Sequence, residues 1–70
     1  MDYAAFYQEV VAWINEANQK ATTLGLQSND FWLWVTRSSG EICDKHGNNK
    51  LVINQMLMLI NWLEDIYFGR

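Results

Sequence analysis

The chain is predicted to be an all-α, three-helix bundle. Three features say so. Apolar residues recur at steps of three and four along three segments, polar breaks containing glycine separate those segments, and proline is absent. Half of the 70 residues are apolar and 14% are aromatic, a composition too rich in buriable surface for a disordered chain. Two domains of this combined length would each lack a core, so residues 1–70 are expected to form a single three-helix domain.

The first helix should start at Asp2, whose carboxylate can cap it, and run to about Leu24. Tyr3, Phe6, Val10, Trp13, Ile14, Ala17, Ala21 and Leu24 make its inward stripe, and Tyr7 and Val11 widen one shoulder. Asp2, Glu9, Glu16 and Lys20 gather on another side, read as a solvated face on which Glu16 and Lys20, four apart, can pair. Gly25 is the expected stop, because a residue just past a last helical turn often needs positive φ. The short connection that follows favours an antiparallel neighbour.

With Ser28 chosen as cap, a second helix is expected from Asn29 to about Lys45, burying Phe31, Trp34, Val35, Ser38 and Ile42. Its opening FWLWV has strand-like composition, but a lone strand would leave its backbone groups unpaired. Ser38, Ser39 and Gly40 are weak helix formers whose small size suits either a close approach by another helix or a local kink. Arg37 with Glu41, and Glu41 with Lys45, have the spacing of an exposed, charge-paired face. His46 to Asn49 form the second break, with Gly47 as terminator and Asn48 or Asn49 as the next cap.

The third helix, near residues 49 to 67, is the most apolar segment. At about 100° per residue, Val52, Ile53, Met56, Leu57, Leu59, Ile60, Leu63, Ile66 and Tyr67 cover roughly half its circumference. An arc that wide can cover two neighbours, so the C-terminal helix is expected to be central. Its other side mixes Lys50, Asn54, Asn61 and Asp65 with a second apolar row, Leu51, Met58 and Trp62.

Charge and motifs exclude several functions. A net charge of −3 with only five scattered basic residues argues against direct nucleic acid binding and against anionic membrane surfaces. The apolar stretches are too interrupted to span a bilayer, no signal peptide is visible, and the lone Cys43 fits a reducing compartment, so a soluble cytoplasmic protein is expected. Glu41, Cys43, Asp44 and His46 form the densest set of possible ligands, yet on a helix at most two of them converge, so no metal or other cofactor is expected. Glu41 and Asp44 also have the spacing of a magnesium-binding carboxylate pair, but the inward stripe of the first helix offers no facing carboxylates. No phosphate-cradling glycine loop or activated nucleophile is present.

What remains is surplus apolar surface. Leu33, Leu51, Met58 and Trp62 have no evident place in the core, and methionine and tryptophan are residues that interfaces favour. The expected function is therefore a small protein–protein interaction module, a regulator or inhibitor without catalysis, acting on a protein partner and forming a homodimer. Two other classes fit less well. One is a carboxylate- and magnesium-dependent nucleotide-processing enzyme assembled as an oligomer through Glu41, Asp44, Glu64 and Asp65. The other is an acidic nucleic-acid mimic, for which eight acidic residues are few.

Overall fold

The computed structural model describes residues 1–69. It is all-helical in the order α1 (Tyr3–Leu24), α2 (Asn29–Lys45) and α3 (Lys50–Phe68), with no strand among the described residues. The longest dimension is 35 Å, close to the ~33 Å that 22 residues of helix span at about 1.5 Å each. The length of α1 thus sets the length of the molecule.

The helix boundaries follow local chemistry. Asp2 accepts from the Ala5 amide at 3.0 Å, Ser28 from Asp30 at 3.2 Å and Asn49 from Leu51 at 2.9 Å, each satisfying a donor that its helix cannot. α1 stops at Gly25, whose φ of 87° is costly for a residue with a Cβ. α2 stops in a Schellman arrangement. The Gly47 amide donates to the Asp44 carbonyl at 3.1 Å and the Asn48 amide to the Cys43 carbonyl at 2.8 Å.

Ten apolar side chains are buried: Phe6, Val10, Trp13 and Ala17 from α1, Phe31 and Val35 from α2, and Val52, Met56, Leu59 and Leu63 from α3. Ile14, Ala21, Trp34, Ile42 and Ile60 pack partly buried around them. The backbones of α1 and α2, and of α2 and α3, approach each other more extensively than those of α1 and α3. This packing gives α3 no more central a place than α2.

The inward stripes are narrower than periodicity suggests. Tyr3 and Leu24 of α1, and Leu57, Ile66 and Tyr67 of α3, are exposed instead of buried. They sit at the ends or edges of their stripes, where the three-helix arrangement covers them only in part. Ser39, rather than Ser38, is the buried serine, and its hydroxyl donates to the Val35 carbonyl at 2.7 Å.

Ser38 instead serves the joint between α1 and α2. The Trp13 Nε1–H donates to Ser38 Oγ at 2.8 Å, Ser38 Oγ donates to the Trp34 carbonyl at 2.6 Å, and the Trp13 and Trp34 rings stack with centroids 5.3 Å apart. A second indole ties down the α1–α2 connection, with Trp32 Nε1–H donating to the Leu26 carbonyl at 2.7 Å. The face of Trp32 that remains meets Tyr67 edge-on at 5.6 Å, which seats the end of α3 on the start of α2.

α2 continues as helix through Ser38, Ser39 and Gly40. Nor does Gly40 serve a close helix approach, because a Cβ placed there would meet nothing within 4 Å.

Two stability outcomes follow from this packing. Gly40→Ala should raise the urea midpoint, corresponding to about 0.5–1 kcal/mol, since a helical glycine in open space contributes only backbone freedom to the unfolded chain. A lowered midpoint would mean that Gly40 has a packing role. Trp13→Phe keeps the ring in the core but removes the donor to Ser38, and should cost about 1 kcal/mol beyond the lost ring area. Equal stability of the two proteins in denaturant titration would remove that hydrogen bond from the account of the α1–α2 joint.

Candidate interaction surface

On α3 the buried arc holds Val52, Met56, Leu59 and Leu63, and the apolar row beside it stays in solvent. Leu51 is 40% exposed, Met58 56% and Trp62 38%. Trp62 therefore keeps more than a third of its surface in solvent, although the rest of it is covered.

The row does not stand alone. Tyr7 Oη donates to Gln55 Oε1 at 3.2 Å, which lays one flank of α1 along one flank of α3. Gln55 lies within about 40° of both Leu51 and Trp62 around the axis of α3. On the α1 side of the same contact, Tyr3, Tyr7 and Val11 follow one another at four-residue steps and all three are exposed. The two helices together present one apolar surface interrupted by the polar Tyr7–Gln55 bridge.

Sequence reasoning put Tyr3 in the core and treated Tyr7 and Val11 as a shoulder of the buried stripe. The four-residue spacing of the three was visible, but the side of α1 on which solvent begins was not. Leu33 is also exposed, and its neighbours along the outer side of α2 are Asn29, Trp32 and Thr36. It projects roughly 160° away from the buried Phe31 and Val35 around the helix. That direction separates it from the α1–α3 surface.

The charged residues are arranged differently from a plain solvated face. Glu9 of α1 reaches across to the end of α2, where Lys45 Nζ donates to Oε1 at 2.7 Å and His46 Nε2 lies 3.1 Å from Oε2. The hydrogen bonds from Lys45 and then His46 hold the Glu9 carboxyl below its ordinary value, against a smaller opposing effect of burial. An ionised carboxylate only accepts, so Nε2 is the ring nitrogen that carries the hydrogen in this contact. The imidazole also packs edge-on against the buried Phe6, with centroids 5.3 Å apart.

Lys45, which helical spacing set opposite Glu41, is thus engaged by α1 instead. The Glu16–Lys20 pair does form, at 3.8 Å on the surface, and the Lys20 ammonium lies 5.6 Å from the centre of the Trp34 ring.

The acid–base side chains that do meet are Glu9, Lys45 and His46. Among the described residues there is no group of three or more His, Cys, Asp or Glu side chains placed to hold a metal ion. Glu41 and Asp44 are exposed on α2, and Glu64 and Asp65 lie near the end of α3. The half-buried Cys43 thiol is pushed above its ordinary value by burial and by the neighbouring Asp44 charge, the reverse of what activates a nucleophile. No described helix is long and apolar enough to cross a membrane. Comparison with protein-family models, curated proteins and solved structures found no match.

The Glu9 contacts make a pH-dependent prediction. A carboxylate whose folded-state value is depressed stabilises the fold fully above the ordinary glutamate range, and that contribution disappears as pH falls through the folded value. Glu9→Gln should therefore cost about 0.5–1 kcal/mol at neutral pH, the scale of a partly exposed ion pair. In urea titrations the gap to the wild type should begin to close below about pH 4.5. A gap that is the same at pH 3 and pH 7 would show that the pairing with Lys45 and His46 does not stabilise the fold.

Proposed function

We propose that this chain is a single-domain interaction module that acts by binding protein, as a regulator or inhibitor without catalysis of its own. The observation that carries this reading is the exposure of Leu51, Met58 and Trp62 beside Tyr3, Tyr7 and Val11 on adjoining flanks of α3 and α1. Scattered exposed apolar residues need no explanation, but a contiguous surface with two tyrosines, a tryptophan and a methionine has the make-up of the centre of an interface.

The rest of the molecule gives the surface a firm support. Each described helix begins with a side-chain cap, and no buried side-chain nitrogen or oxygen among the described residues lacks a partner. The apolar face therefore belongs to an otherwise satisfied fold. Binding at such a face is led by a few large side chains, and on α3 these are Met58 and Trp62.

Replacing both in one variant, Met58→Gln with Trp62→Gln, keeps good helix formers in place and removes the apolar contact. The helical circular dichroism should persist while association weakens at least tenfold, whether it is read as self-association in sedimentation or as retention of a co-purifying protein. Undiminished association of the double variant would sink the proposed face. So would a wild-type chain that binds neither itself nor any other protein.

A further inference from the structure

We propose that the cleft between the end of α3 and the start of α2 is a binding site for a quaternary ammonium group, held by the rings of Trp32, Tyr67 and Phe68 and the carboxylate of Glu64. The site is separate from the α1–α3 face and does not depend on it.

The walls come from helical spacing and from one fixed indole. Glu64 precedes Tyr67 and Phe68 by three and four residues, so the three share one flank of the last turns of α3. Opposite them, Trp32 is held from two sides. Its Nε1–H donates to the Leu26 carbonyl at 2.7 Å, and its ring meets the buried Phe31 at 85° with centroids 5.1 Å apart. With its polar atom satisfied, what Trp32 offers a ligand is π surface. Tyr67 stands at 74° to Trp32, and Phe68 at 73° to Tyr67, with centroids 5.6 and 4.9 Å apart. Successive rings are thus nearly perpendicular and present aromatic surface in more than one direction. Gln27 and Asn29 complete the lining of a cleft of about 320 Å³, at the small end of the ~300–1,000 Å³ typical of ligand sites.

The charge around these rings selects a cation. Glu64 makes no ion pair with a described residue, and no Lys, Arg or His is among the described residues that line the cleft. α3 also ends here without a basic residue in its last turn, so the partial negative charge of its terminal carbonyls adds to that of Glu64. The same pairing of ring and carboxylate is filled at Trp34, where the Lys20 ammonium lies 5.6 Å from the ring centre and 3.8 Å from Glu16. At Trp32 the ring and the carboxylate are present, and a ligand supplies the cation.

Methylation decides which cation fits. A primary ammonium is a compact, strongly hydrated charge, whereas methyl groups spread the charge over an apolar surface that matches the rings. Trimethylammonium heads occur on free choline compounds and on trimethylated lysine side chains, and the chemistry of recognition is common to both.

Titration of the isotope-labelled full chain with choline chloride at constant ionic strength, followed by nuclear magnetic resonance, tests the site. The Trp32 indole signal should shift saturably, with a dissociation constant on the order of 1 mM, while those of Trp13, Trp34 and Trp62 stay in place. The neutral tert-butyl isostere of choline has the same shape without the charge and should bind about fivefold more weakly. Tyr67→Leu, which keeps apolar bulk but removes a π face, should weaken choline about fivefold, and Glu64→Gln about threefold. Glu64→Gln removes only a charge, so with an unchanged urea midpoint it reads the site even where Tyr67→Leu loosens the end of α3.

A trimethyllysine peptide that binds more tightly than choline, with its unmethylated form silent, assigns the head to a protein side chain. Tighter binding of choline assigns it to a free compound, and either result upholds the site. Equal binding of choline and its neutral isostere would overturn it, as would the absence of a saturable shift at Trp32 or an affinity unchanged in Glu64→Gln.

Discussion

The hydrogen-bonded stack of Trp13, Ser38 and Trp34 is the joint on which the bundle depends. A core of ten buried apolar side chains is small, and no disulfide is available because the chain has one cysteine. Under that constraint the large aromatics have to serve twice, as apolar bulk and as directional contacts. Trp13 fills the space between α1 and α2, and its N–H would be a buried orphan without Ser38. Ser38 can accept it because its own hydroxyl is spent on the preceding turn of α2, which turns its lone pairs toward α1. Trp32 repeats the solution on the Leu26 carbonyl and so fixes where the α1–α2 connection lies.

The ends of the molecule are held by contacts of a different kind. At one end Glu9 joins α1 to the close of α2 through Lys45 and His46, and the imidazole covers the edge of Phe6. At the other, Tyr67 of α3 meets Trp32 of α2. Both contacts use α2, which agrees with its extensive approach to each neighbour. Between α1 and α3 the connection is thinner, and its named polar link is the exposed Tyr7–Gln55 hydrogen bond. The apolar surface lies along this same α1–α3 seam.

This coincidence of thin packing and apolar exposure gives the functional reading its physical content. A face that belonged to the core would be expected where helices approach most closely, whereas this one follows the looser side of the bundle.

The helices, their limits and their caps were legible in the order of residues. Asp2, Ser28 and Asn49 act through amides two or three positions away, and apolar spacing is a property of neighbouring turns, so local rules suffice for them. The exposed row of Leu51, Met58 and Trp62 was legible for the same reason. The rotation of each helix against the others was not. It put Tyr3, Leu24, Leu57, Ile66 and Tyr67 in solvent and chose Ser39 over Ser38 for burial. It also joined Glu9 to Lys45 and His46, 36 and 37 residues distant, and set Tyr7 against Gln55, 48 residues distant. A few tens of degrees of rotation move a residue at the edge of a stripe from core to solvent, and that angle is fixed by the shapes of all three helices packed together rather than by the sequence of any one.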